Sequence, residues 1–201
     1  MMILRHSPAS PFVRKVRIAA ALLGLADRIE LEDADTASPT DSLRTQNPLG
    51  KIPALILENG DVLFDSRVIV EYLDWLAGGD KLFPASGPER FETLVRFALA
   101  DGITDAAILL VYESRWREAS LRTPKWIDHQ QGKIARGLAR FEADPPALES
   151  IDIGAVALAC TLGYLDLRFA GEWREDHPTL VTWLNAFAAA VPAFEETKFK
   201  G

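Results

Sequence analysis

The stretch GKIPALILENGDVLFDS, residues 50–66, decides how the chain folds. Its apolar residues fall into two short runs, PALIL and DVLF, separated by Glu58-Asn59-Gly60-Asp61. Asn-Gly between two such runs is the strongest short-range hairpin signal, so the spacing predicts two antiparallel strands. Pro53 stands at the entrance to the first of them, where a residue without an N–H costs the ladder nothing. Asp65 and Ser66 then supply the short oxygen-bearing side chains that open a helix, and Ile69, Tyr72, Leu73 and Leu76 keep one apolar face through it.

Upstream, MILRH reads as a short strand, and Ser10 followed by Pro11 reads as a helix start. A serine oxygen caps the first turn, and the fixed φ of proline suits the first helical position. Phe12, Val13, Val16, Ala19, Ala20 and Leu23 carry helical spacing up to Gly24, a fitting stop. RIELEDAD, from Arg28, reads as a second strand. The order is therefore β-α-β-(short α)-β-β-α. Two strands joined through a helix run parallel, and the hairpin adds antiparallel strands to the same sheet. That is an α/β domain of the thioredoxin type.

Downstream, GGDKLFPASGP (78–88) has the Gly and Pro content of a connection. Beyond it strand signals vanish, and helical periodicity runs through four segments starting at Phe91, Pro124, Ile151 and His177. The expected organisation is an α/β domain over 1–79, a linker over 80–88, and an all-α domain over 89–201.

Composition narrows the function classes. A hydrophobic fraction of 48% and a charged fraction of 25% are those of a globular protein with a core. A formal net charge of -7 argues against nucleic acid as a partner, since duplex binding asks for a basic face. With one cysteine, Cys160, a disulfide framework and a Cys-x-x-Cys site are both excluded. That cysteine sits in the apolar run GAVALACTLGYL and reads as a core residue. His6, His129 and His177 lack metal-ligand spacing, and no Gly-rich phosphate loop is present, so neither a metal nor a nucleotide cofactor is indicated. The longest apolar run, IAAALLGLA, is too short to span a bilayer, and the N-terminus lacks a signal-peptide core, so the expectation is cytoplasmic, with no membrane partner.

Two places combine residues that suit a small zwitterionic peptide. Ser10 stands at the positive end of the first helix, where free backbone N–H groups and the dipole favour an anion. A hydroxyl there can donate to a thiolate. Lowering a thiol from about 8.5 by two units takes ~2.7 kcal/mol, and one charge-assisted hydrogen bond contributes about 1.5–3 kcal/mol. The plainer reading of Ser10 is an ordinary helix cap, and Ser7, nearer the strand end, competes for the thiol role. The Asp65 carboxylate suits an ammonium, and the Ser66 hydroxyl with its helix start suits a carboxylate; here too a simple cap explains both residues. A cis Ile52–Pro53 bond would aim the Ile52 backbone groups at a ligand, as in strand addition, although only about 5–6% of X-Pro bonds are cis. Arg14, Lys15 and Arg17 read as a solvated helix face. Tyr112 and Trp116 read equally as core or as the lining of a cavity for a second, flat substrate.

SPFVRKVRIA (10–19), NPLGKIPAL (47–55) and FDSxxI (64–69) together resemble the cytosolic glutathione S-transferases, most closely bacterial forms with serine where others carry tyrosine or cysteine. The resemblance covers the whole chain. It implies that Ser10 activates the glutathione thiol, that Ile52 with Pro53 pairs with the cysteinyl backbone, and that Asp65 and Ser66 grip the γ-glutamyl end. Phe12 and Lys51 would line the same site. It further implies a homodimer, and a small, apolar electrophile attacked by the thiolate. Serine-bearing members also include peroxide-reducing and isomerising enzymes and proteins without a known reaction, so a glutathione-dependent peroxidase or isomerase and a non-catalytic binding module stand beside the transferase. One departure stands in the helical half. Family members often open the first core helix with Ser or Thr followed three residues later by Asp, whereas here the stretch runs from Asp152 to Ala155, lacking the reciprocal capping partner.

Overall fold

Strand β1 (Met2–His6) lies in the middle of a four-stranded sheet of order β2-β1-β3-β4, in a computed structural model that describes residues 1–200. It pairs in parallel with β2 (Ile29–Asp33), Met2 opposite Ile29, and antiparallel with β3 (Ala54–Ile56), Leu4 opposite Leu55. β4 (Val62–Leu63) completes the far edge, Leu63 opposite Leu55. Leu4, Ala54 and Leu55 have no solvent exposure, as befits central strands. The α/β arrangement is the thioredoxin-like one that the strand and helix signals imply.

The hairpin forms where Asn-Gly stands, but with a different turn from the two-residue type that signal usually marks. Leu57 and Asp61 form its closing pair (Leu57 N to Asp61 O, 2.8 Å), and the Gly60 N–H donates back to the Leu57 carbonyl at 2.9 Å. Only Gly60 has positive φ (+89°); Asn59 does not. This is a three-residue loop with glycine in the left-handed position. Asn59 contributes its side chain instead, its Oδ1 accepting from the Asp61 N–H at 3.1 Å.

Helix α1 (Pro11–Leu22) crosses between β1 and β2. It ends in paired hydrogen bonds, Leu25 N to Ala20 O and Gly24 N to Ala21 O, around Gly24 at φ +70°. Its basic residues are not the solvated face their sequence suggests: Arg14 is 9% and Lys15 1% exposed. The Lys15 ammonium lies 5.1 Å from the centre of the Phe12 ring, and the packing consumes the aliphatic stems. After β2 the chain forms a single helical turn, α2 (Leu43–Gln46). Arg5, buried on β1, pins this excursion by donating to Ser42 Oγ (2.8 Å), Asp41 Oδ1 (2.9 Å) and the Asp33 carbonyl (3.1 Å).

Helix α3 (Ser66–Leu76) packs Ile69, Val70 and Leu73 inward. Near its C-terminus the buried Asp74 accepts from the backbone N–H groups of Lys81 (3.2 Å) and Leu82 (2.7 Å). The Gly- and Pro-rich stretch read as a linker is thereby held in place, with Leu82 and Phe83 buried.

By internal contacts the chain divides into two units, Met1–Arg90 with the terminal segment from Val191, and Phe91–Ala190. Long helix α4 (Gly87–Trp116) starts in the first unit because Arg90 is tied there, to Glu71 (2.6 Å) and to the Pro84 carbonyl (3.1 Å). The second unit holds the four long helices expected, namely α4, α5 (Pro124–Ala143), α6 (Ile153–Arg168) and α8 (Pro178–Ala190), with a one-turn α7 (Trp173–Asp176) before the last. α6 is apolar nearly all round and buried along most of its length, Cys160 included (3% exposed), the pattern of a central helix. α5 and α4 meet closely at Gly137, where an added Cβ would come within 2.5 Å of Ile103.

The start of α6 resolves the departure noted in the sequence. Asp152 caps it without that partner (Ala155 N to Oδ1, 2.9 Å), and its second oxygen, Oδ2, is held from α4 by donation from Thr93 Oγ1 (2.6 Å) and Arg96 (2.8 Å). Gly154 allows this approach, since a Cβ there would stand 2.9 Å from Arg96 Cβ.

The segment from Val191, with one-turn helix α9 (Ala193–Glu196), belongs with the first unit and not, as expected, with the helical domain. The reason is Arg14, whose guanidinium lies 4.0 Å from the Phe194 ring centre and donates to the Phe194 carbonyl and to Thr197. Among the described residues no helix is long and apolar enough to cross a membrane.

Candidate functional site

The strand register gathers the residues singled out in the first eighty positions. β1 and β3 run antiparallel with Arg5 opposite Ala54, so one step further the chain leaving β1 at His6 passes the chain entering β3 at Pro53. β3 and β4 pair Leu55 with Leu63, so Phe64 and Asp65 leave β4 beside Ala54 and Pro53. The start of α1, the Ile52–Pro53 step and the start of α3 therefore share one end of the sheet. A topology that alternates strand direction brings three loops, distant in sequence, to one edge.

Ser10 is half-buried and is the N-cap of α1: its Oγ accepts from the Val13 N–H at 3.3 Å. Its own N–H donates to the Ser7 carbonyl at 3.0 Å, closing the turn over Ser7–Ser10. Capping uses a lone pair of the hydroxyl and leaves its proton to be donated elsewhere. The two readings of Ser10, cap and donor, are thus compatible in one rotamer. Ser7, also half-buried, remains at the strand end.

Pro53 is buried and Ile52 half-buried, and the bond between them is cis, as is Phe64–Asp65. Lys51 is exposed, and Phe12 is half-buried beneath the Lys15 ammonium. Asp65 is exposed and caps α3, its Oδ1 accepting from the Arg67 N–H at 2.9 Å. Ser66, the first residue of α3, is only 2% exposed. On the helical unit Tyr112 and Trp116 are 45% and 65% exposed, which removes the core reading for both.

Two supporting residues escaped the sequence reading. Asn47, buried, donates to the Lys51 carbonyl (2.8 Å), while its Oδ1 accepts from Leu49 N (3.0 Å) and its carbonyl from Gly50 N (2.8 Å). It shapes the loop that delivers Ile52 and Pro53. The signal was present as Asn-Pro-x-Gly, the chemistry of a side-chain-closed turn.

His6, 9% exposed, is the other. Its Nε2 lies 3.1 Å from Asp33 Oδ1. Burial nevertheless pushes its pKa below the ordinary histidine value, with Asp33 opposing and Arg17 assisting. The unfolded chain then binds this proton more readily than the folded one. The stability due to His6 is therefore complete above about pH 6.5 and is lost as the pH falls through the folded-state value. A His6→Gln variant is expected to melt with a shallower dependence on pH between neutrality and pH 5. Identical slopes for both proteins in thermal melts would show that His6 titrates alike in the two states.

The glutathione S-transferase N-terminal domain family matches residues 9–76, and the corresponding C-terminal domain family matches residues 124–186. A GST-like protein of Escherichia coli K12, YibF, is 32% identical over 185 residues, covering 90% of each chain. Among solved structures, a glutathione transferase family member from Pseudomonas fluorescens Pf-5, with bound glutathione, is 44% identical and covers 98% of both chains at a TM-score of 0.92. A glutathione S-transferase from Methylobacillus flagellatus KT, also with glutathione bound, is 36% identical, again covering 98% of both chains, at a TM-score of 0.88.

Proposed function

The chain belongs to the glutathione S-transferase family, and from that membership we propose that it binds glutathione at the sheet edge and directs its thiolate at a small, apolar electrophile. The convergence of Ser10, Ile52–Pro53 and Asp65–Ser66 at one end of the sheet carries this reading. In it, Ile52 offers its backbone N–H and carbonyl to the cysteinyl residue of glutathione as a short strand would. Asp65 spends one carboxylate oxygen on its cap and offers the other to the γ-glutamyl ammonium. The Ser66 hydroxyl and the first-turn N–H groups of α3 receive the neighbouring carboxylate. Phe12 and Lys51 border the tripeptide.

Ser10 keeps its proton and donates a hydrogen bond from its hydroxyl to the thiolate sulfur, and the α1 N-terminus adds a favourable potential. The thiol proton passes to solvent. The thiolate then forms a C–S bond, and the leaving group departs with the electron pair of the bond it breaks. Tyr112 and Trp116 supply flat apolar surface for the acceptor on the helical unit. Two copies associate as a homodimer, a state that a mass measurement in solution checks. Turnover with an aryl halide, and not with a hydroperoxide or a maleyl compound, is the expected outcome; glutathione binding without turnover on any of them would replace the enzyme by a binding module.

Asp65→Ala is expected to weaken glutathione binding by about ten- to a hundredfold, the equivalent of ~1.5–3 kcal/mol for a charge-assisted hydrogen bond. Calorimetric titration reads it directly. An unchanged dissociation constant would reject the ammonium contact.

A further inference from the structure

We propose that the first unit carries a second small-molecule site, behind the C-terminal half of α1, that takes a short aliphatic monocarboxylate with Arg17 as its anchor. A cavity of about 180 Å³ opens there, walled by Leu4, Ala20, Ile29 and Leu31, with Arg17 and Glu196 as its charged lining. At about 30 Å³ for each water of the liquid, that volume equals some six waters, the size of a short-chain acid. Leu4 is fully buried at its floor, while Leu31, on edge strand β2, is 40% exposed.

Arg17 belongs to the basic run that the thiol chemistry leaves unused. Unlike Arg14, which is committed to Phe194 and Thr197, it has no carboxylate within ion-pair distance among the described residues. Glu196 lines the same cavity without pairing with it. Burial and the neighbouring Arg14 together pull the Arg17 pKa below the ordinary guanidinium value. A half-buried cation without a counter-ion, beside a second cation, is most relieved by an incoming anion. The aliphatic walls select for a tail rather than an inorganic ion. Glu196, exposed at the rim, opposes the same anion and limits its affinity. The site is separate from the thiol position: Ser10 and Arg17 stand seven residues apart on α1, about 10 Å along the axis.

Hexanoate, titrated into the full chain and followed by calorimetry and by amide chemical shifts, tests the assignment. Shifts are expected at Arg17, Ala21 and Leu31 and not at Ser10. Arg17→Met, which keeps the apolar stem, is expected to weaken hexanoate by about ten- to a hundredfold. Glu196→Gln is expected to tighten it. Ala21→Leu, at an exposed wall position, is expected to abolish binding by filling the space. Aryl halide turnover should stay within twofold of the parent in all three. The site is overturned if hexanoate does not bind up to its solubility limit, or if Arg17→Met and Ala21→Leu bind it like the parent. Binding of leucine in place of hexanoate would overturn the monocarboxylate assignment in favour of a zwitterion bridging Arg17 and Glu196.

Discussion

Asp152→Ala is expected to lower the free energy of unfolding by about 3 kcal/mol. The carboxylate does two jobs at once. Its Oδ1 caps α6 through Ala155, a role worth about 0.5–2 kcal/mol. Its Oδ2 receives Thr93 and Arg96 from α4, and hydrogen bonds to a charged group contribute about 1.5–3 kcal/mol. Arg96 remains 34% exposed, so its share is reduced by solvent, and the sum stays below the two upper limits. For a chain of this length the melting temperature should drop by about 6–12 °C. Asp152→Asn, which caps nearly as well but carries no charge, should recover part of that loss. If the alanine variant melts within about a degree of the parent, the α4–α6 connection is held by packing alone.

Ser10→Ala is expected to raise the thiol pKa of bound glutathione by about one to two units, at 1.36 kcal/mol per unit for the lost hydrogen bond. Turnover at a pH below the parent's thiol value should fall by about ten- to a hundredfold, following the lost thiolate fraction. The deficit should shrink as the pH climbs towards the thiol pKa of the variant, where both proteins hold a thiolate. The substitution also removes the cap on Val13, so a stability loss of about 1 kcal/mol accompanies it. Ser10→Gly separates the two effects, because glycine caps within a few tenths of a kcal/mol of serine but carries no hydroxyl. A thiolate absorbance titration that superimposes on the parent's would transfer the role away from Ser10, with Ser7 the next residue to replace.

Much of the site was legible because its signals are local. A serine before a proline, an acidic residue before an apolar helical face, and Asn-Gly between two apolar runs each describe a free-energy preference settled within four or five residues. They identified Ser10 as the cap of α1, Asp65 with Ser66 as the start of α3, and the hairpin between β3 and β4; that Asp65 is the cap came from the structure. Even there, local chemistry left the turn type open: Asn59 closes the hairpin with its side chain, while Gly60 alone takes the positive φ. Asn47 shows the opposite limit. Its residue type announced a turn, but that its amide would hold the Lys51 carbonyl depended on how the following four residues fold back.

The sequence alone determined the order of strands and helices, the change from mixed to all-helical structure, and the candidate residues in the α/β unit. Tertiary structure alone decided which of these meet. The antiparallel registers of β3 with β1 and β4 bring three loops to one sheet edge, and Arg14 draws the C-terminal segment onto α1. It also left Arg17 half-buried without a counter-charge among the described residues, although Arg14, Lys15 and Arg17 look alike in the sequence. Turns and helical periods are settled among neighbours along the chain, whereas the burial and pairing of a charge depend on whatever distant segment packs against it.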